Sequence, residues 1–388
     1  DLLEARHFDN RHTKMKYHQP SKMRWLLLFF LPLSILLLWT ELGFIWTGVD
    51  GKKGVSQGYT RNDVSGSLRL NEQAPLFNPL ESNKWKHDLF RRLDRIRQRC
   101  GKLCEINNNE TIERYTVSGG QSFRRLKVPV DCKQIMLDED IDVADGTVPF
   151  PPPPELIPYY TMGGLVRFKL EHKYSQLYLG GEARTPVWNI SVVNKYYEQM
   201  SRNRKMNYGS SGLLLKSYLA ANLDVNGKTV LVIGSEYPWV EAICLHLGAT
   251  QVTTLEYGEI ISEHPQIKTL KPGEVRLQYQ NSTNEYYDLV VSFSSLEHSG
   301  LGRYGDSLNP WGDILAVARA RCLTKPGGHL VIAVPYSGKR DSVIFNAHRI
   351  YSQWRYPLLT ANWEQIDGDH HKTTEKYFQP IFIFQNPP

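Results

Sequence analysis

Hydrophobic and polar positions follow three different rhythms along this chain. From Trp25 to Trp46, WLLLFFLPLSILLLWTELGFIW, 22 residues carry a single charge, Glu41. About 20 apolar residues span a bilayer, and Trp25, Trp39 and Trp46 fall where interfacial aromatics gather. A core helix would show a polar face and a cleaved leader would end in small residues. The run shows neither, so the pattern predicts a retained transmembrane helix. The second rhythm is amphipathic. Residues 85–99, WKHDLFRRLDRIRQR, place Trp85, Leu89, Leu93 and Ile96 at helical spacing. Residues 186–223 hold two more helix-like runs, VWNISVVNKYYEQM and GLLLKSYLAANL. The third rhythm is a series of short, continuous apolar runs: TVLVIG (229–234), QVTTLEY ending its strand at Glu256, VRLQYQ (275–280), YDLVVSF (287–293) and HLVIAVP (329–335). Helical stretches at 240–247 and 312–323 and a KPGG turn at 325–328 separate them. Strands covered on both faces read as continuous apolar runs, and alternation with helices predicts a parallel sheet.

These rhythms divide the chain into a tail (1–24), the membrane segment (25–46), a Gly-, Ser-, Asn- and Lys-rich stem (47–84), an N-terminal region (85–209) and an α/β domain (210–388). Lys14, Lys16, Lys22 and Arg24 precede the apolar run, while Lys52 and Lys53 follow it. That bias places the N-terminus in the cytosol and the rest in the secretory lumen. The expected protein is then a single-pass type II membrane protein of Golgi type. Sequons at Asn109, Asn189 and Asn281 agree with that side of the membrane.

Composition changes the picture little. A net charge of +6 over 388 residues, partly near the N-terminus, is not the dense basic stripe of a nucleic-acid partner. Five cysteines without a CxxC argue against zinc. A disulfide among Cys100, Cys104 and Cys132 is expected, with Cys244 and Cys322 as small buried hydrophobes. Asp138-Glu139-Asp140 has the DxD form that glycosyltransferases use for a metal-bound sugar nucleotide, although an acidic loop reads the same way. His370-His371 reads as an exposed loop pair, and no metal site is assigned.

Candidate chemistry concentrates in the α/β domain. Ligands of such sheets bind at the carboxyl edge, where strand order switches. Gly234 ends the first apolar run, where backbone must approach a ligand closely. Glu256 ends the second about twenty residues later, where a carboxylate accepts hydrogen bonds from both ribose hydroxyls. Gln280 ends the third and is placed to meet an adenine. An adenosine cofactor with a free 2′-hydroxyl fits. After Gly234 the chain reads SEYPW, without the further glycines that a pyrophosphate requires. This disfavours NAD and leaves S-adenosylmethionine, which has no phosphate.

VLVIGSEYPW, LEY, YDLVVSFSSLEHSG and LTKPGGHLVIAVP occur in the order and spacing of class I S-adenosylmethionine methyltransferases, which the domain resembles. LEHSGLGRYGDSLNPWGD and FNAHRIYSQWR further resemble a domain-of-unknown-function family of Caenorhabditis proteins. The resemblance covers roughly 210–388. It implies a doubly wound, Rossmann-like, mostly parallel seven-stranded sheet ending in a β-hairpin at WEQID (363–367) and KYFQPIFIF (376–384). It also implies cofactor contacts from Gly234, Glu256 and the segment Ser294 to His298, Ser294 and Ser295 included. Methyltransferases of this class usually show an acid before a GxGxG loop. Here the loop has one glycine, so Ser235 and Glu236 are its cofactor-facing candidates, Glu236 toward the methionyl ammonium.

Methyl transfer needs an aligned acceptor and, for a hydroxyl, a base. His298 is the first candidate, with Asp306, Asp313 and His348 as competitors. Arg303, Tyr304, Arg349 and Tyr351 form a polar and aromatic set suited to an acceptor, or to pinning the 299–310 loop. The expected activity is O-methylation of a hydroxyl-bearing acceptor such as a glycan. The alternatives are a non-catalytic scaffold on a degenerate core and, from anchor, stem and DxD, a Golgi-type glycosyltransferase.

Overall fold

The computed structural model describes residues 79–387, apart from 106–111, 118–119, 144–147, 172–184, 207 and 369–378. Seven strands form the main sheet: β1 (Thr229–Ile233), β2 (Gln251–Leu255), β3 (Ile267–Leu270), β4 (Tyr287–Phe293), β5 (Thr324–Ala333), β6 (Glu364–Gly368) and β7 (Ile381–Gln385). Their order is β6-β7-β5-β4-β1-β2-β3. β7 runs antiparallel to both β5 and β6, and the pairs among β1 to β5 are all parallel. The chain leaves β1 toward β2 and β3, then crosses to β4 on β1's other side. The switch point therefore lies between the carboxyl ends of β1 and β4.

Two-residue periodicity sends alternate side chains of each strand to opposite faces. Val230 and Val232 of β1 join Val291, Val331 and Ile383 on one face. That face is covered by α2 (Ile190–Ser201), α3 (Ser211–Asn222) and α4 (Trp239–His246) through Tyr196, Leu219 and Ile243. Leu231 and Ile233 join Val290, Leu330, Ile332 and Phe384 on the other. There α5 (Pro272–Gln280) contributes Val275, and α6 (Gly312–Cys322) contributes Val317 and Ala320. α6 is apolar on a second side as well. Ile314 and Leu315 pack into a further cluster with Leu89, Leu93 and Ile96 of α1 (Pro79–Cys100), Tyr160 and Phe345. The N-terminal region is thus an added layer on α6, sharing its core.

Several expectations are corrected. VRLQYQ is not the third strand. Ile267–Leu270 takes that place, and 275–280 is helical because Pro272 opens α5 and the Glu274 carboxylate accepts the Lys271 amide at 2.7 Å. Cys322 is not a lone buried hydrophobe: it bonds Cys132, and Cys100 bonds Cys104. Only Cys244, buried, is free. Asp138 and Asp140, for which an acidic loop stood against the DxD alternative, are ion-paired. Arg95 holds Asp140 at 2.6 and 2.8 Å, and Arg99 bonds both aspartates. Among the described residues no group of metal ligands forms. The His370-His371 pair and the Asn109 sequon lie outside the described residues.

The membrane reading is also corrected. Among the described residues no helix is long and apolar enough to cross a membrane. The longest, α1, has 22 residues, but WKHDLFRRLDRIRQR puts charges along it that a bilayer would not accept. Trp25–Trp46, the tail and most of the stem lie outside the described residues. The expected transmembrane helix, the membrane partner and the lumen-facing Golgi topology built on them are accordingly set aside. The supported architecture is the mostly parallel α/β sheet.

Candidate functional site

At the switch point the loop after β1 crosses directly over the loop after β4. Gly234 has φ +75°, and a Cβ there would lie 1.7 Å from Ser295 Oγ, so only glycine lets the two loops pass. Gly234 N–H donates to the Leu255 carbonyl at 3.0 Å, tying the loop to the end of β2. Ser235 N–H donates to Glu256 Oε2 at 3.0 Å, and the Ser235 hydroxyl lies 2.9 Å from the Tyr237 carbonyl and 3.1 Å from Glu241 Oε2. Glu241 is fully buried on α4 and also accepts from Thr254 Oγ1 at 2.8 Å. Burial pushes its carboxyl up to about 7, against the opposing pull of these hydrogen bonds. A serine and a buried glutamate thus hold the loop that glycines shape elsewhere.

Glu256, with Gly234, Ser235 and Glu236 of this loop, lines a cavity of about 150 Å³. Its Oε1 accepts Tyr257 N–H at 2.8 Å while Oε2 accepts Ser235 N–H. Each oxygen keeps a second acceptor site for a ligand hydroxyl. Burial pushes this carboxyl up to about 7 as well. Ile233, Leu255, Val275 and Ala320 line the cavity from the sheet and helices, and Met136 and Ile141 line it from the N-terminal layer. That layer is fastened here. Asp142 accepts from Arg276 Nε at 3.0 Å and also bonds Arg319, whose guanidinium reaches the Ile135 carbonyl at 2.8 Å and the Asp138 carbonyl at 2.7 Å. The Cys132–Cys322 disulfide joins the same segment to the end of α6.

The loop after β4 forms the opposite wall. Ser294, at φ +53°, donates its hydroxyl to Glu297 Oε1 at 2.9 Å. His298 is buried, and its Nδ1 is hydrogen-bonded to the Ala347 carbonyl, so that nitrogen carries the proton and Nε2 bears the lone pair. Nε2 lies 3.7 Å from Glu297 Oε1. Burial, then the Arg303 charge, push the imidazole down to about 3, while burial raises the Glu297 carboxyl to about 7. His298, Ser294, Tyr208, Phe293 and Tyr304 line the small cavity and also an adjoining cleft of about 1310 Å³. The two compartments therefore adjoin along this shared wall.

The structure brings Gly234, Ser235, Glu236, Glu256, Ser294 and Ser295 together around the small cavity. Gln280 is not among them: it ends α5 and is exposed. Asp306 lines the cavity, but its carboxylate accepts the amides of Gly300 at 2.6 Å, Gly302 at 3.2 Å and Tyr304 at 3.2 Å, so it holds the loop. His348, Arg303 and Tyr304 line the large cleft, with the His348 ring 6.4 Å from that of His298. Arg349 and Tyr351 are fully buried instead, with Arg355, around Asp313. Sequence reasoning missed Glu241, Tyr208, Met136 and Ile141. It quoted Tyr257 without giving it a role, and placed Glu297 only within the cofactor-contacting segment Ser294 to His298. Position two residues past the end of β2 was the available signal for Tyr257; nothing local marks Glu241, Tyr208, Met136 or Ile141.

Residues 227–379 match the family described as "Caenorhabditis protein of unknown function, DUF268". The matched stretch falls on the mostly parallel, Rossmann-like seven-stranded sheet. The matched stretch is under half of this chain. Among curated proteins, none matches. Of solved structures, the core is similar to the 1,6-didemethyltoxoflavin-N1-methyltransferase of Burkholderia thailandensis, with 14% identity, a TM-score of 0.34, and coverage of 50% of this chain and 87% of that one. It is similar also to the N-methyltransferase NodS of Bradyrhizobium japonicum, with 16% identity, a TM-score of 0.29, and coverage of 45% and 93%. Scores this low leave the functional argument to the chain's own residues.

Proposed function

We propose that this protein is an S-adenosylmethionine-dependent methyltransferase that methylates a hydroxyl of a sugar-like acceptor. One observation carries the reading: Glu256, with a free acceptor site on each oxygen, faces a cavity that shares a wall with a much larger cleft. The cavity fits the cofactor chemically. Its acceptor pair suits a vicinal ribose diol, its Leu255, Val275, Ala320 and Met136 walls suit a flat base, and among the described residues that line it there is no glycine-rich anion cradle. Bound there, the cofactor supplies a methyl group activated by a sulfonium.

The chain's own residues do the rest. Gly234 and Ser295 set the path of the two loops, and Ser235 aims the Glu256 carboxylate. Tyr208, Phe293 and Tyr304 give the shared wall an aromatic surface. His298, oriented by Ala347, presents a neutral Nε2 lone pair at that wall to accept the proton of the acceptor hydroxyl as its oxygen is alkylated. A competing reading, a non-catalytic binding protein on the same core, is favoured by the low basicity of His298.

One assay separates them. The purified chain is incubated with methyl-labelled S-adenosylmethionine and a panel of mono- and oligosaccharides, and label is followed through alkali. Methyl ethers survive alkali and esters release methanol. The expected result is alkali-stable label that falls about 100-fold or more in His298→Gln, with cofactor affinity retained. No label, from a folded sample that binds cofactor, contradicts catalysis on sugars; alkali-labile label contradicts the hydroxyl acceptor.

A further inference from the structure

The large cleft is lined by charges of nearly one sign. Among the described residues, Arg167, Arg303, Lys339 and Arg340 line it, and the acid in its lining is Glu297, buried at the wall beside His298. Three of the cations come together through backbone pairing. Arg167 lies opposite Ser342 in a parallel bridge, and its N–H donates to the Asp341 carbonyl at 3.1 Å. Lys339 and Arg340 immediately precede that point.

Asp341, the nearest carboxylate in sequence, does not serve these cations. It is fully buried and accepts the amides of Ser352 at 2.7 Å, Trp354 at 3.0 Å and Arg355 at 3.1 Å. The side chains of Arg167, Lys339 and Arg340 are exposed and make no ion pair or hydrogen bond among the described residues. Three like charges on one rim repel one another, and a bound anion removes that cost. Guanidinium forks match the oxygens of phosphate, sulfate and carboxylate.

We propose that Arg167, Lys339 and Arg340 form an oxyanion subsite, so that the acceptor is an anionic sugar carrying a phosphate, sulfate or carboxylate away from the reacting hydroxyl. The term acceptor rests on the methyltransferase reading; the anion subsite does not. Such a ligand also acts on the base. After burial, the Arg303 charge is the next cause of the weak basicity of His298. An anion in the same cleft offsets that field and strengthens the base when the acceptor is present.

The test uses the full purified chain and ligand-detected saturation-transfer spectra with four probes: glucose, glucose 6-phosphate, glucose 6-sulfate and glucuronate. The three anionic sugars are expected to bind and glucose is not, and the strongest of the three names the anion. The triple variant R167S/K339S/R340S replaces exposed rim side chains. It is expected to weaken the anionic probes at least tenfold, with S-adenosylmethionine affinity and melting temperature unchanged. Glucose binding as well as its anionic derivatives, or a triple variant that binds them like the parent, overturns the proposal. Anionic sugars that bind a chain unable to bind S-adenosylmethionine leave the subsite standing and remove the methyltransferase reading. The reverse outcome removes the subsite alone.

Discussion

Replacing Asp313 by alanine is expected to destabilise the protein by about 3–5 kcal/mol, the usual cost of stripping one partner from a buried ion pair. Asp313 is fully buried at the start of α6. It accepts from Arg355 Nε at 2.8 Å and Tyr351 Oη at 2.9 Å, and Arg349 Nε lies 3.6 Å away. Its carboxyl is held below the usual range, since the two guanidinia outweigh the burial that would raise it. Without it, two guanidinium groups remain in an interior that cannot solvate them. The damage extends to the site, because Arg349 also donates to the Ser299 carbonyl at 2.6 Å and so secures the loop that carries His298. Urea denaturation of D313A reads the loss, and a change below about 1 kcal/mol would show that the network is solvated.

The second large effect concerns the Cys132–Cys322 disulfide. It closes a sequence separation of 190 residues. On a chain-entropy account, removing such a link costs about 5 kcal/mol. The bond also fixes the segment that contributes Met136 and Ile141 to the cofactor cavity. The double variant C132S/C322S is therefore expected to melt well below the parent and to bind S-adenosylmethionine more weakly. Asp142 with Arg276 and Arg319 remains as a second fastening, so the fold is expected to survive. Melting curves with and without cofactor measure both effects. An unchanged melting temperature would mean that the ion-pair clamp alone holds this layer.

Much of the core was legible because a doubly covered strand must be apolar throughout. β1, β2, β4 and β5 announced themselves as such runs, and the spacing from Gly234 to Glu256 singled out the carboxylate that follows β2. β3 was not legible: its four residues, IKTL, are too few to show a rhythm, while the apolar residues of α5 at 275–280 imitate one. The pair His348 and Arg349 shows a second limit. Both belong to the three-residue strand His348–Ile350, which no run of sequence predicts. Strand alternation turns His348 and Ile350 to the cleft and Arg349 into the interior. Adjacent polar residues thus receive opposite roles from an element too short to see. Cys322 illustrates a third limit, since its partner lies 190 residues away.

The central claim is that Glu256 holds an adenosine cofactor, and titration calorimetry of S-adenosylmethionine into the full purified chain and into Glu256→Gln tests it most directly. The carboxyl sits at about 7 in the cavity, and two hydroxyl donors favour its ionised form. Binding near pH 7 is therefore expected to release protons, visible as a buffer-dependent enthalpy. Affinity should rise with pH through about 7 and level off above it. In E256Q the affinity is expected to fall at least tenfold, and the pH dependence and proton release attributable to this group should vanish. Absence of binding by a folded parent chain, or equal affinity in E256Q, would contradict the account.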